Sequence, residues 1–437
     1  MQIFFKLQQL HKQYKALYPV VFFWIASMVG NMFNWFFNFL TSRTLSLEEF
    51  ANLTFYVTFQ YIISIFTGAV LITANKYTAI YKSEKVISNH NPIHILKNYS
   101  IILGIISSFI YILTANYWAP KFNFPSDSFF ILSTSPMFLL MFIVSWYRGV
   151  INGLNLLVLS GWTMVVETSV KLLFAITSFL FSPSLFYLTL SVPISIGLTI
   201  IFIYYKTQSL KVLNPQFQDF KIPNDVIQFY IQTLLFQFGV VAIINIDILI
   251  VNRYLSPDMA GIYSLLSLIG KMLFFINYTL SALLVPIVSK RLASLEGSRK
   301  PFIIIMVITI GFSGIFSFLV VQFPETFVQI LIGEKYKLIT PYLLKYCVAI
   351  SILSISLVFS TYYLLKQKYL ISLTTVAVVM LELILMSIYN DSINTIVNTL
   401  LFTTSILTAM MLGITLTDKN QIAAIKSLLR YEKTYQR

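Results

Sequence analysis

The chain has 437 residues, of which 57% are hydrophobic and only 11% carry a charge. A soluble domain of average composition has about 25% charged residues, so this chain cannot cover a water-facing surface of its own. The composition therefore excludes a soluble globular protein and predicts one that meets lipid along most of its length. A single cysteine, Cys347, excludes an intrachain disulfide and leaves a thiol-based metal site without partners.

Long apolar runs divide the chain into twelve segments that suit membrane-spanning helices. Each lasts about twenty residues or more without two-residue alternation, which is the length a helix needs to cross a ~30 Å hydrocarbon core. The first is expected to be a retained helix and not a signal peptide, because no small-residue cleavage site follows it. The stretch Phe323–Lys337 is amphipathic and is expected at a membrane interface. The twelve segments are predicted at 18–41, 51–75, 98–117, 128–147, 157–182, 185–205, 226–252, 259–288, 301–322, 338–364, 369–389 and 393–416.

The positions of lysine and arginine predict the orientation of these segments. With twelve spans, 22 of the 30 basic residues fall in the two termini and the even-numbered loops, 5 in the odd-numbered loops and 3 inside helices. Because cytoplasmic loops are enriched in Lys and Arg, this bias predicts that both termini face the cytoplasm. The net charge of +14 needs only anionic lipid headgroups as partners and does not indicate nucleic acid.

Segments one and seven end alike, which indicates an internal repeat. The stretch from Arg43 to Glu48 aligns without a gap on Arg253 to Asp258 at an offset of 210 residues, and Ala51 then falls on Gly261. Six helices lie between the copies, as expected for a parallel repeat with its axis along the membrane normal. The predicted organisation is a cytoplasmic segment 1–17, a six-helix bundle 18–205, a cytoplasmic linker 206–225, a second six-helix bundle 226–416 and a basic cytoplasmic tail 417–437.

Ionisable residues at membrane depth cost a few kcal/mol each and usually face a cavity or a partner. Glu167 and Lys171 lie four residues apart on one helix face, either as a self-neutralising structural pair or as part of a functional site. Asp247 either reaches headgroups near the outer end of its helix or acts inside the protein. Glu382 either makes a packing hydrogen bond or binds a coupling ion. Arg148 is expected at the cytoplasmic end of the fourth segment.

Two segments carry polar stripes. In the first, Asn31, Asn34 and Asn38 share one face with Ser27 and Thr41, and these groups either join helices or line a cavity. In the eighth, Lys271 lies about twelve residues into its helix, near the membrane midplane. A lysine there cannot easily snorkel, so it is expected to line a cavity. Its stripe also contains Ser264, Ser267, Tyr278 and Ser281.

Motifs for enzymatic chemistry are absent from the sequence. It contains no Walker A run, no G-x-S-x-G and no Asp-x-Asp pair, and none of its three histidines falls inside a predicted span. The predicted outer loops are also too short to hold a catalytic domain. The sequence therefore offers no support for a membrane enzyme, and no cofactor or metal is predicted.

The stretch from Ile246 to Lys271 carries a family pattern. It has Asp247 near the end of helix seven, a short basic turn at Arg253, Ala-Gly-x-Tyr at 260–263 and Gly-Lys at 270–271. Two further features match the family pattern: Pro286 at the end of helix eight, and the run Ile-Gly-Glu-Lys-Tyr at 332–336 after helix nine. With its two six-helix halves, the chain resembles the polysaccharide transporters of the multidrug/oligosaccharidyl-lipid/polysaccharide exporter (MOP) superfamily, the O-antigen and capsule repeat-unit flippases.

The resemblance implies an all-α polytopic fold like that of the MATE exporters, with two pseudo-symmetric bundles in a V around a central cavity. It also implies an undecaprenyl-diphosphate-linked oligosaccharide as substrate, moved from the cytoplasmic to the outer leaflet of a bacterial inner membrane by alternating access. The further partners it implies are membrane lipids, a proton or sodium ion and a polysaccharide polymerase complex.

Candidate roles for single residues follow from the resemblance together with charge. Arg148, Lys171 and Lys271 suit an anionic diphosphate, and Asn31, Asn34 and Asn38 suit sugar hydroxyls. The candidates for a coupling ion are Glu167, Asp247 and Glu382. The alternatives are a cation-coupled multidrug exporter or a lipid II flippase of the same superfamily, and a membrane-embedded glycan polymerase or ligase.

Overall fold

The computed structural model of the protein describes residues 2–84, 92–125, 127–181, 184–208, 224–282, 284, 288, 299–366 and 370–417, and all regular secondary structure in them is helical. The first seven helices are α1 (Gln2–Thr44), α2 (Leu47–Glu84), α3 (Pro92–Trp118), α4 (Ser128–Thr134), α5 (Pro136–Gly153), α6 (Leu157–Leu180) and α7 (Leu185–Thr207). The other eight are α8 (Asn224–Ala242), α9 (Ile246–Tyr254), α10 (Pro257–Ala282), α11 (Arg299–Gln322), α12 (Pro324–Ile332), α13 (Tyr336–Leu365), α14 (Leu370–Ile388) and α15 (Ile393–Thr417).

Nine helical stretches in the described part of the chain are long and apolar enough to cross a membrane. Each of the twelve predicted segments coincides with one or two of the helices above. The prediction of an all-α polytopic membrane protein is thus confirmed. The nine stretches are Leu47–Ala79, Ile93–Trp118, Ser128–Gly153, Leu157–Leu180, Leu185–Thr207, Pro257–Ser281, Arg299–Gln322, Lys337–Tyr363 and Ile393–Ile414, and Leu373–Ile388 is a shorter apolar helix.

Two segments that were predicted as single helices are pairs of helices. The seventh consists of α8 and α9, which are separated by a turn at residues 243–245. The fourth consists of α4 and α5, which meet at Ser135, where Pro136 removes a backbone donor from the helical ladder. Helix α5 then continues to Gly153. The predicted end of this segment at residue 147 is therefore too early, and Arg148 lies more than one turn before the end of the helix.

Some sequence predictions fall outside the described residues. They concern Pro286 at the end of the eighth segment, most of the linker 206–225 and all of the tail 417–437 except Thr417. Within the described part, the amphipathic stretch Phe323–Lys337 contains α12, a short 3₁₀ turn at Gly333–Lys335 and the start of α13. Gly333 has a φ of 68°, a backbone conformation that glycine adopts without strain.

Helix α1 is longer than a membrane requires. It has 43 residues, which is about 65 Å at 1.5 Å per residue, against a hydrocarbon core of ~30 Å. Pro19 lies inside it, close to the point where the polar first residues give way to the apolar run. A substantial part of α1 therefore extends beyond the apolar core of any membrane that it crosses.

Packing divides the chain into two compact units. The first comprises Met1–Val241 and Ser256–Gly261, and the second comprises Ala242–Leu255 and Ile262–Arg437. Helix α8 thus packs within the first unit, although the repeat-based division assigns it to the second half. That division rests on the sequence repeat and stays a prediction.

Helix α5 lies at the centre of the first unit, in contact with α2, α3, α6 and α7. Two glycines one turn apart allow its close approach to α2: a Cβ on Gly149 would lie 2.5 Å from the Leu71 carbonyl oxygen, and one on Gly153 would lie 2.6 Å from that of Asn75. Small residues at such contacts are typical of membrane helix packing. Because Gly149 faces α2, its neighbour Arg148 is turned about 100° away around the helix.

Helices α1 and α6 also pack closely and run in parallel. A Cβ on Gly161 of α6 would lie 2.9 Å from the Ala26 Cβ, and one on Gly30 of α1 would lie 3.6 Å from Oγ1 of Thr168. One turn beyond Gly30, Asn34 therefore lies at about the level of Lys171 on α6.

In the second unit, α13 contacts both α11 and α15, and α14 contacts α15. The short helix α9 packs against α14 and α15. Because Asp247 is in the first turn of α9, this packing places its carboxylate inside the unit.

The two copies of the sequence repeat have the same local role. In the first copy, Ser46 and Glu49 form a capping box at the start of α2, with the Glu49 amide donating to Ser46 Oγ at 3.2 Å and the Ser46 amide donating to Glu49 Oε2 at 3.0 Å. In the second, the Met259 amide donates to Ser256 Oγ at 3.4 Å at the start of α10. The match thus encodes helix termination and initiation at equivalent places.

Candidate functional site

Arg148, Glu167 and Lys171 form an ionic cluster on α5 and α6 of the first unit, called the α5–α6 cluster below. Nη2 of Arg148 donates to Oε2 of Glu167 at 2.8 Å. The other carboxylate oxygen, Oε1, lies 3.7 Å from Nζ of Lys171, four residues further along α6. The sequence places Glu167 and Lys171 on one face, and the structure adds Arg148 to them from a second helix.

Two polar residues, Thr163 and Gln60, provide further acceptors for the cations of this cluster. Thr163 accepts from Nε of Arg148 through its hydroxyl and from Nη2 through its carbonyl oxygen, both at 3.0 Å. Lys171 donates to Oε1 of Gln60 on α2 at 3.4 Å. The long distance to Gln60 indicates a weaker bond than those made by Thr163.

The α5–α6 cluster carries a net charge of +1 within two apolar spans. Its side chains are only partly accessible, at 15% for Arg148, 12% for Glu167 and 7% for Lys171. A partly buried site with an excess of positive charge favours anionic ligands, and arginine in particular matches the geometry of phosphate and carboxylate oxygens.

The asparagines of α1 lie beside the surface that packs on α6. Asn31 is exposed, whereas Asn34 and Asn38 are half-buried. The Asn38 amide donates to the Asn34 carbonyl oxygen at 2.8 Å, and Thr41, on the same face, is buried. Of the three asparagines, Asn31 is thus the most exposed.

Asp247 is the centre of a buried hydrogen-bond network in the second unit. The residue is only 1% exposed, so of the two alternatives, lipid headgroups or the protein interior, its burial favours the interior. Oδ2 accepts from the Tyr263 hydroxyl at 2.8 Å and from the Tyr346 hydroxyl at 3.4 Å. Oδ1 accepts from the backbone amide of Ile248 at 2.8 Å.

Glu382 on α14 is fully buried, at 0% exposure. Its Oε2 accepts from the Thr403 hydroxyl of α15 at 3.5 Å, while Oε1 has no hydrogen-bond partner among the residues that the structure describes. The two carboxyls of Glu382 and Asp247 lie within electrostatic range of each other. This part of the second unit therefore holds two buried carboxyl groups.

Lys271 on α10 is half-buried and lies within electrostatic range of Asp247. The residues of its predicted stripe have different environments. The three serines are buried, whereas Tyr278 is exposed. The hydroxyl of Ser281 donates to Thr361 Oγ1 at 2.8 Å, a contact between helices of the second unit.

Within the described ranges, no three His, Cys, Asp or Glu side chains group together as a metal site would require. Lys345, which the sequence places in the outer half of a span, is exposed and donates to Oδ1 of Asn394 at 2.9 Å.

Sequence reasoning missed several of the partners in these networks. Thr163 lies four residues before Glu167, on the same helix face. This spacing is the one sequence signal that could have indicated that Thr163 belongs to the cluster. Tyr263 belongs to the Ala-Gly-x-Tyr motif, which did not specify a role for it. Gln60, Tyr346 and Thr403 come from distant helices, and only packing brings them to Lys171, Asp247 and Glu382.

Solved structures, but not sequence families, match this chain. No protein-family model matches the sequence, and no curated protein does. An inward-facing MATE multidrug resistance transporter of the MOP superfamily aligns over 91% of this chain and 96% of its own, with a TM-score of 0.72 and 11% identity. The lipid II flippase MurJ, in an inward closed conformation, aligns over 90% of this chain and 87% of its own, with a TM-score of 0.71 and 14% identity.

A third neighbour is a MOP superfamily transporter from Pyrococcus furiosus, described as having a binding pocket of reverse polarity that suggests a different function. It aligns over 94% of this chain and 96% of its own, with a TM-score of 0.59 and 11% identity. At these identities the likeness shows a common fold. This chain therefore has the fold of the MOP superfamily transporters.

Proposed function

We propose that this protein is a flippase that moves an undecaprenyl-diphosphate-linked oligosaccharide across the bacterial inner membrane for surface polysaccharide assembly. The fold supports the general class, because it is shared with transporters, one of them described as a lipid flippase. The single observation that carries the substrate is the α5–α6 cluster, in which two cations accompany one carboxylate.

The charge of this cluster favours a phosphate-bearing cargo over a cationic one. A multidrug exporter for organic cations needs a site dominated by carboxylates, whereas Arg148 and Lys171 outnumber Glu167 in the first unit. An inside-negative membrane potential also favours outward movement of negative charge, by ~2.3 kcal/mol per charge per 100 mV. Both considerations agree on an anionic lipid headgroup.

The proposal assigns different steps to the remaining candidates. Asn31, Asn34 and Asn38 bind sugar hydroxyls, since Asn34 lies at the level of Lys171 on the neighbouring helix. In the second unit, Lys271 contacts the headgroup at a later stage of transit.

Asp247 and Glu382 bind the coupling proton or sodium ion, whereas Glu167, the third candidate, is already paired with two cations. The support for Glu382 is its buried Oε1, which lacks a partner among the described residues. A buried carboxylate oxygen in that state gains stability from a proton or a cation.

The test combines a gene deletion with paired substitutions. A strain that lacks the gene is expected to lose its surface glycan and to accumulate lipid-linked repeat units on the cytoplasmic leaflet. The double variant Arg148→Ala, Lys271→Ala is expected to restore less than about a tenth of export, because loss of contacts to charged groups typically costs more than 1.4 kcal/mol each. The matched control, Lys206→Ala with Lys337→Ala, also removes two positive charges but from exposed positions, and should restore export fully.

The same strains separate the alternatives. Export that survives in the double variant would contradict the anion-binding role. Unchanged glycan with increased drug susceptibility would favour the multidrug exporter, and lysis would favour the lipid II flippase. Repeat units that accumulate on the outer leaflet would favour a polymerase or ligase.

A further inference from the structure

Glu167 occupies the place between the two cations of the α5–α6 cluster. Its Oε2 accepts from Arg148 at 2.8 Å, and its Oε1 lies 3.7 Å from the Lys171 ammonium. A phosphoryl group also presents two oxygens and would contact the same two cations in the same way. The carboxylate thus stands where the proposed headgroup would bind.

The guanidinium of Arg148 has two contacts besides its bond to Glu167. Thr163 holds Nε and Nη2 through two hydrogen bonds at 3.0 Å. Nη1 makes no hydrogen bond to any residue that the structure describes, and the side chain is 15% exposed. Arg148 is therefore fixed in place with one face open to an incoming anion.

Lys171 is held more loosely. Its neighbours are the Glu167 oxygen at 3.7 Å and the Gln60 amide oxygen at 3.4 Å, both at or beyond the upper range of hydrogen-bond lengths. Its flexible stem allows the ammonium to change partner. An anion on Arg148 can thus also recruit Lys171, provided that Glu167 moves away, because two anions repel each other in a partly buried site.

We propose that Glu167 is an internal competitor for the phosphate site: it pairs with Arg148 and Lys171 in the free protein and is displaced by the diphosphate headgroup. The proposal rests on the proposed function for the identity of the cargo. It assigns Glu167 the role of weakening headgroup binding, so that the headgroup leaves the site when the carboxylate returns. In this proposal Arg148 and Lys171 bind the phosphate ligand, and Glu167 lowers the affinity with which they bind it.

Binding of inorganic pyrophosphate to the purified full-length protein tests the competition by titration calorimetry. Glu167→Gln keeps the size of the side chain and removes its charge, so pyrophosphate should bind about tenfold more tightly than to the wild type. Glu48→Gln makes the same chemical change at an exposed position and should leave the affinity unchanged. Arg148→Ala should abolish measurable binding.

A second variant keeps the test valid if Glu167→Gln misfolds. A thermal melt in detergent shows whether each variant is folded. Glu167→Asp keeps the charge but shortens its reach to Arg148, so it should also bind pyrophosphate more tightly than the wild type, by a smaller factor. The competitor role is overturned if the folded variants bind no tighter than the wild type, or if no protein binds at all.

These results are separable from those for the proposed function. Tighter pyrophosphate binding by Glu167→Gln, with glycan export unaffected by gene deletion, would support the competitor and reject the oligosaccharide cargo. Lost export in the deletion strain, with unchanged affinity in Glu167→Gln, would retain the flippase and reject the competitor.

Discussion

Asp247 illustrates how a single carboxylate is accommodated deep inside a membrane protein. Two tyrosine hydroxyls and one backbone amide donate to it, which replaces the water that the group loses on burial. The contributions differ, because the Tyr263 bond is 2.8 Å long and the Tyr346 bond 3.4 Å. A hydrogen bond to a carboxylate is stronger when it is short, so the bond from Tyr263 is expected to contribute more than the bond from Tyr346.

This difference predicts unequal effects of two otherwise identical substitutions. Tyr263→Phe is expected to lower the free energy of unfolding by about 1–2 kcal/mol, and Tyr346→Phe by less. Reversible unfolding in mixed micelles measures both. Tyr278→Phe, at an exposed tyrosine of the same helix as Tyr263, is the control and should have no measurable effect. A larger effect of Tyr346→Phe would contradict the assignment.

At the scale of single helices, close packing fixes the rotation of α5 and thereby the position of Arg148. Gly149 and Gly153 turn one face of the helix against α2, at distances that leave no room for a methyl group. The next face then presents Arg148 to α6, where Thr163 and Glu167 receive it. A change in the α2–α5 contact would therefore reach the α5–α6 cluster.

A comparison of two glycines tests this constraint. Gly149→Ala is expected to lower the free energy of unfolding by about 1–3 kcal/mol and to weaken glycan export, since the added Cβ would lie 2.5 Å from the Leu71 carbonyl oxygen. Gly311→Ala is the matched control, because nothing lies within 4 Å of its added Cβ among the described atoms. Equal stability of the two variants, measured by unfolding in micelles, would show that α2 and α5 are not locked together.

Hydropathy predicts the helices of this protein well because burial in lipid needs only length and apolar composition. The division of the seventh segment at residues 243–245 was not predictable, since Ile243, Ile244 and Asn245 include no glycine or proline. Pro136 did carry a signal for the division between α4 and α5. The Glu167–Lys171 contact follows from helical spacing, whereas Arg148 joins it only through packing of α5 on α6, which a single sequence does not specify.

For the molecule as a whole, the distribution of basic residues is the main evidence for its orientation. With the twelve spans predicted from the sequence, 22 of the 30 Lys and Arg residues fall in the termini and even-numbered loops, and we propose that these regions are cytoplasmic. Lys121, in the 3₁₀ turn Pro120–Phe122 after α3, would then face outward, and Lys206, in the last turn of α7, inward.

Cysteine labelling checks this orientation. Cys347 is the single cysteine of the sequence, and it is buried. The variant Cys347→Ala therefore provides a background without any cysteine. In that background, Lys121→Cys should react with an impermeant maleimide in intact spheroplasts, and Lys206→Cys only after permeabilisation. The Cys347→Ala protein alone should remain unlabelled. The reverse pattern would place both termini outside and contradict the direction of transport proposed above.

The length of α1 has a mechanical consequence. If its apolar part crosses the bilayer, about 25 Å of helix continues beyond the membrane boundary near Pro19. Such an extension acts as a lever arm: a tilt of about 10° at the boundary would displace its far end by about 4 Å. A small reorientation of the asparagine-bearing part of α1 would thus be magnified outside the membrane, where a spectroscopic probe near the N-terminus would report the proposed transport cycle from a distance.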